Sequence, residues 1–321
     1  MAGNVLEVVA GLLLLVWGAN RFVYGAGAIA RNLGVAPLLV GLTVVAIATS
    51  APEILVSIIA ASRGESELAV GNAIGSNIVN IGLVLGTVAL VRPIQLASQT
   101  LRREMPALLA VTLLGVSLFL DSWLSRIDGL ILLGGLVVVM FWLIRLGLRS
   151  TPDDTISAEF DAEIPRDVAM RTAIMWFVVG LGALLVGADL MVSGAVEIAR
   201  SLGVAEIVIG IVLVAFATSL PELAVTLAGA LKGEHGLVIG NIVGSNLFNI
   251  LAVVGAAALI DPSIMPPSVL SLHLFVMSAF TLIFFAMTYE FHGSGIISRL
   301  EGAALLAAWI VYDVYVIIQN V

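Results

Sequence analysis

The chain contains no cysteine, which excludes disulfides, thiolate metal sites and a cysteine nucleophile while leaving the compartment open. It is also poor in charge: 11% of its 321 residues are charged, where soluble domains carry roughly 25%. Polar segments are scarce too, the one sizeable example being "RSTPDDTISAEFDAEIPRD" at 149–167. That segment lacks the D-x-[DN]-x-[DN]-G order of an EF-hand loop, so it reads as a solvated linker. The three histidines (His235, His273, His292) are scattered near the ends of apolar segments. No H-E-x-x-H, G-x-S-x-G or phosphate loop accompanies them, which disfavours a membrane-embedded enzyme.

What is present is apolar. Hydrophobic residues make up 60% of the chain, and mean hydropathy is +1.15. This composition indicates an all-α polytopic membrane protein. The first apolar run, from near Val5 past Gly25, has neither a basic leader nor a small-residue cleavage site and reads as a retained span. Breaks at polar and Gly/Pro-rich stretches give ten candidate spans: 4–30, 36–62, 69–91, 104–120, 127–148, 171–199, 204–230, 236–260, 268–290 and 296–318. Ten basic residues (Arg31, Arg92, Arg102, Arg103, Arg145, Arg149, Arg166, Arg171, Lys232, Arg299) fall at odd-to-even connections. Only Arg63, Arg126 and Arg200 fall on the other side, and Arg21 lies within span 1. The positive-inside rule therefore puts the linker 149–170 in the cytoplasm and both termini outside, as expected of a multi-pass protein of the cell (inner) membrane. The net charge of −8 lies largely in loops and points to no nucleic-acid partner.

The chain repeats itself. "ARNLGVAPLLVGLTVVAIATSAPEILVS" from Ala30 matches "ARSLGVAEIVIGIVLVAFATSLPELAVT" from Ala199, and "GNAIGSNIVNIGLVLG" from Gly71 matches "GNIVGSNLFNILAVVG" from Gly240. The offset is constant (222 − 53 = 169) and holds without a gap from Gly11/Gly180 to Gly86/Gly255. The expected organisation is a first five-span repeat over 1–148 with its motif at 41–86, the linker, and a second repeat over 171–321 with its motif at 210–255. Five is odd, so equivalent spans enter the membrane in opposite directions. Inverted repeats around a midplane site are a transporter architecture.

Within the repeat, Glu53 and Glu222 lie near the centres of spans 2 and 7, where a charge costs ~2.5–3.5 kcal/mol or more. A protonated glutamate making a packing hydrogen bond is the bland alternative. Pro52 and Pro221 sit beside them, each without an N–H and clashing with the carbonyl four residues back, so helices 2 and 7 must kink or break. Carbonyls freed in lipid are tolerated where they line a cavity. Each motif thus offers a carboxylate, two hydroxyls (Thr49 and Ser50; Thr218 and Ser219) and backbone oxygens. Hard cations want such donors, Ca²⁺ about 6–8 of them.

Asn72, Ser76 and Asn80 recur at i, i+4 and i+8, as do Asn241, Ser245 and Asn249, and so line one helical face. Ser76, Asn80, Ser245 and Asn249 are assigned to the site; Asn77 and Asn246 read as interhelical packing. Gly71, Gly75, Gly240 and Gly244 between them allow close helix approach. Gly11, Gly18 and Gly25, and likewise Gly180, Gly187 and Gly194, recur every seven residues, a pattern that suits either sliding or static packing. Asp189, Glu197, Glu301 and Asp313 are expected to be interfacial or packing groups.

These motifs ("ATSAPEILVS", "GNAIGSNIVNIGLVLG", "ATSLPELAVT", "GNIVGSNLFNIL") resemble the paired α-repeats of the cation/calcium exchanger superfamily, nearest its prokaryotic sodium/calcium branch. The resemblance implies ten transmembrane helices as two inverted five-helix repeats with broken helices 2 and 7. Spans 1 and 6 would be long, tilted and mobile. It implies Glu53 and Glu222 as shared ion ligands, helped by Thr49, Ser50 and the Ala46 carbonyl on one side and Thr218, Ser219 and the Ala215 carbonyl on the other. Ser76 and Ser245 would serve flanking sodium sites, with Asn80 and Asn249 in the middle. Some sodium/calcium exchangers carry aspartate where this chain has Asn249, so the site here has two carboxylates. The implied activity is secondary active antiport of calcium against sodium in a lipid bilayer, without a cofactor. Protons are the alternative counter-ion, and a cation channel the more distant reading.

Overall fold

A computed structural model describes residues 2–33, 49–96, 101–149, 167–288 and 295–320. Most of these residues are helical. In chain order the helices are α1 Ala2–Asn32, α2 Ala51–Ser62, α3 Ser66–Val91, α4 Leu101–Leu118, α5 Arg126–Arg149 and α6 Met170–Leu202. Then follow α7 Glu206–Thr218, α8 Leu220–Lys232, α9 His235–Ile260, α10 Val269–Thr288 and α11 Arg299–Asn320. Among the described residues seven helices are long and apolar enough to cross a membrane, and α7 with α8 forms an eighth, bent by 40°. Helices α2 and α4 are shorter apolar helices, and the expected first half of span 2 lies outside the described residues. The chain is a multi-pass membrane protein.

Local chemistry explains several boundaries. Helices α5 and α11 open on capping boxes. The Ser125 and Ser298 N–H groups donate to the Asp128 and Glu301 carboxylates at 2.8 and 2.7 Å, and both hydroxyls donate to the same oxygens. Helix α8 stops at Gly233, whose φ of 90° costs a glycine little. The bend between α7 and α8 sits at Ser219, with Pro221 in the first turn of the following helix. Ser50 has nearly the same backbone angles (φ −83°, ψ 4°) as Ser219 (φ −83°, ψ 3°), and Pro52 stands in the same place. Proline is tolerated in a first turn because those N–H groups have no intrahelical partner.

Two features lay beyond the sequence pattern. Helices α3 and α9 each contain a π-helical stretch, Asn80–Leu85 and Asn249–Val254, placed 169 positions apart like the repeat itself. Further π turns occur at Gly210–Val214 and Val269–His273. Two short antiparallel strand pairs also link the copies: Ile94–Gln95 pairs with Ile296–Ile297, and Trp123–Leu124 with Ser263–Ile264.

Close packing runs through glycine. A Cβ at Gly11 would stand 2.8 Å from the Gly187 carbonyl oxygen, one at Gly187 2.9 Å from that of Gly11, and one at Gly18 3.0 Å from that of Gly180. At the other end Gly194 faces the Asn4 carbonyl. As residue numbers rise along α1 they fall along α6, so these two helices run antiparallel, stripe against stripe. Arg21 stacks over Trp176 across the same seam, 4.5 Å from the ring centroid. Gly71 and Gly75 of α3 meet backbone atoms of Ile207 and Ile211 in α7, bringing the second motif against the bent helix.

Candidate ion-binding site

The start of α2 at Ser50, the bend at Ser219 and the polar faces of α3 and α9 converge on one buried cluster. Glu53 and Glu222 are each 1% exposed, and Thr49, Ser50, Ser76, Asn80, Thr218, Ser219, Ser245 and Asn249 are all buried as well. Ser219 donates its hydroxyl to Glu53 Oε1 at 3.5 Å, so this contact joins the two copies of the repeat. Ser245 donates to Glu222 Oε1 at 3.4 Å.

Hydrogen bonds cross between the copies reciprocally. Thr218 donates to Asn72 Oδ1 at 3.1 Å, and the equivalent Thr49 donates to Asn241 Oδ1 at 3.3 Å. The Asn72 amide donates to Ser57 Oγ at 3.1 Å, and that of Asn241 donates to Thr226 Oγ1 at 3.2 Å. Ser76 completes the cluster around Asn72, donating to its Oδ1 at 3.5 Å. Deeper along the helices, Asn80 Nδ2 donates to Asn246 Oδ1 and Asn249 Nδ2 to Asn77 Oδ1, both at 3.1 Å. A pattern in which i meets j and the equivalent of j meets the equivalent of i is the signature of a two-fold relation.

The atoms left over are nearly all oxygens. Ser50 Oγ, Glu53 Oε2, Glu222 Oε2, Asn80 Oδ1 and Asn249 Oδ1 are buried without a hydrogen-bond partner among the described residues. A buried acceptor without a donor costs free energy, and a cation supplies what a donor would. No group of three or more His, Cys, Asp or Glu that could hold a metal occurs among the described residues. The cluster offers two carboxylates among neutral hydroxyls and amides, the kind of oxygens that hard ions favour. A cavity of about 70 Å³ between α1 and α8, lined in part by Asn20, Thr49 and Pro221, reaches the edge of this cluster.

A family profile described as "Sodium/calcium exchanger protein" matches residues 4–145 and 172–318. The chain belongs to the sodium/calcium exchanger family. The putative antiporter CaxA of Alkalimonas amylolytica is 47% identical to this family member over 306 residues, covering 95% of this chain and 96% of that protein. The inner membrane protein YrbG of Escherichia coli K12 is 40% identical over 279 residues, 86% of each chain. A solved structure of the sodium-calcium exchanger NCX_Mj is similar throughout, with a TM-score of 0.68, 33% identity and 96% of both chains covered.

For this exchanger-family chain, most of the residues singled out from sequence stand in the cluster. Ala46 lies outside the described residues. The Ala215 carbonyl is already engaged, accepting the Ser219 N–H at 3.1 Å and the Thr218 hydroxyl at 3.4 Å. Ser57 and Thr226 were missed by the sequence reading. Each lies four residues after its glutamate, on the same helical face, and that spacing is the signal that could have found them. Outside the cluster, Asp189 pairs with Arg63, and Glu197 with Arg200. Glu301 caps α11, while His273 is buried against the Tyr312 hydroxyl at 2.8 Å.

Proposed function

We propose that this protein is a secondary active antiporter that exchanges calcium for sodium across the membrane by alternating access, with Glu53 and Glu222 as the shared carboxylate ligands. The observation that supports it most is the pair of buried glutamates, one from each copy of the repeat, each with one oxygen lacking a partner among the described residues. Two bare carboxylates in low dielectric are costly, and one Ca²⁺ neutralises both. The ion is cargo, taken up with oxygens of Thr49, Ser50, Thr218, Ser219, Ser76, Ser245, Asn80 and Asn249. Because the empty site is the expensive one to rearrange, the loaded states are those that switch, which couples the two fluxes.

The architecture in this reading is ten spans in two inverted five-span repeats, 1–148 and 171–321, around the linker 149–170. The linker is cytoplasmic and both termini are outside. The constant offset, the asymmetry of basic residues and the antiparallel course of α1 and α6 support it.

A proton-coupled reading is favoured by one observation: asparagine stands at both 80 and 249, leaving two carboxylates that two protons would neutralise as well as one Ca²⁺ does. Proteoliposomes separate the two. Ca²⁺ uptake driven by a Na⁺ gradient at equal pH supports sodium exchange, and uptake driven only by a pH gradient replaces it with proton exchange. In either case Glu53→Gln or Glu222→Gln should abolish driven ⁴⁵Ca²⁺ uptake, and retained uptake would refute the assignment.

A further inference from the structure

Four asparagine amides lie in register where α3 crosses α9, and only two of them face the candidate ions in the reading above. Asn80 and Asn249 open the two π-helical stretches. Each gives its amide nitrogen to an asparagine of the opposite copy, Asn80 to Asn246 and Asn249 to Asn77, both at 3.1 Å. Each then has a buried Oδ1 without a partner among the described residues. An asparagine amide carries donors on one side and an acceptor on the other. Clamping the nitrogen therefore settles where the oxygen points.

We infer that Asn77 and Asn246 are positioning residues for the ion site. Their carbonyl oxygens hold the Asn80 and Asn249 amides with oxygen, rather than NH₂, presented to the cation. Flipping Asn80 alone would set its oxygen against the Asn246 oxygen, and flipping both members of a pair would offer the ion a donor. The two clamps are not equal. Asn77 is itself held by a contact from its amide nitrogen to Met277 Sδ at 3.5 Å. Asn246 Nδ2 is buried and has no partner among the described residues. Asn249 is thus fixed by a chain of three groups and Asn80 by a single bond, which makes the Asn80–Asn246 pair the more mobile one. This inference rests on the exchange reading, because it assigns the two π-segment asparagines a cation to face.

The test is Ca²⁺ binding to the purified full-length protein in detergent by isothermal titration, with wild-type as the reference. Asn77→Leu and Asn246→Leu remove the acceptor, and each should weaken Ca²⁺ binding at least tenfold. Asn77→Asp and Asn246→Asp keep an oxygen at the same place and should stay within about threefold of wild-type. A purely structural role would lower the apo unfolding temperature of the leucine variants while leaving Ca²⁺ affinity unchanged, and that outcome overturns the inference. Should the leucine variants not be monodisperse, the aspartates decide alone: affinity retained upholds the positioning role, and a tenfold loss overturns it. Wild-type protein that binds neither Ca²⁺ nor Na⁺ would instead overturn the exchange reading itself.

Discussion

Asn72 shows how much one side chain carries here. Its Oδ1 accepts from Thr218 and Ser76, and its amide donates to Ser57 and to the Glu53 carbonyl, all in a fully buried setting. Asn72→Leu would strand these partners, each buried unsatisfied group costing ~1–3 kcal/mol. We expect a clear drop in the thermal midpoint of the purified protein together with loss of exchange. Ser57→Ala should be milder, since Asn72 keeps the Glu53 carbonyl as an acceptor. At the start of α11, Ser298→Ala removes half of a capping box and should cost ~0.5–2 kcal/mol by thermal unfolding while leaving ion binding alone. A Ser298 variant that changed ion affinity would show that the start of α11 is coupled to the site.

At the scale of elements, α1 and α6 meet through facing glycines. A smooth seam has no interdigitated side chains to lift over one another, so it suits movement as well as it suits tight packing. Gly11→Leu or Gly187→Leu pushes a side chain into backbone that a Cβ alone would approach to 2.8–2.9 Å. If α1 and α6 slide, these variants should stop exchange in protein that still elutes as a single species, and unchanged transport would discard sliding. Ion pairs also tie α6 to the turn between α2 and α3: Arg63 to Asp189, and Arg200 to Glu65 at 2.9 Å. Arg63 and Asp189 are both well exposed (37% and 57%). Such pairs are worth ~0.2–1 kcal/mol, so Asp189→Asn should barely shift the melting temperature. An effect on transport larger than that would mark the pair as part of the conformational change.

For the whole molecule, orientation is the property that transport direction depends on. The natural absence of cysteine makes every introduced thiol unique. Cysteine at Ser157 should be labelled by an impermeant maleimide only from the cytoplasmic side, and cysteine at Gln319 only from outside. The reverse pattern would invert the orientation read from the basic residues. The length of α1 fits the same picture: 31 residues at ~1.5 Å each give about 46 Å, more than the ~30 Å of a hydrocarbon core, so this helix crosses at a tilt or extends into the interface.

Sequence alone determined that this is a membrane protein, that its letters repeat, that a helix breaks beside Pro221 and which residues are chemically unusual for their setting. It could do so because a carboxylate or a proline in lipid is costly, and a constant 169-residue offset survives in plain letters. Glu53, Pro52 and their counterparts were legible for that reason, and the capping boxes at Ser125 and Ser298 were present in the letters too. Tertiary structure decided the partners. That the two glycine stripes face each other, that Asn72 takes its hydrogen bond from Thr218, and that Asn80 is clamped by Asn246 all depend on residues more than a hundred positions apart. Helical periodicity reports which face is polar but not which face opposes it. The π-helical stretches were equally hidden, because an i→i+5 turn is selected by packing against neighbouring helices and leaves no repeat of its own in the sequence.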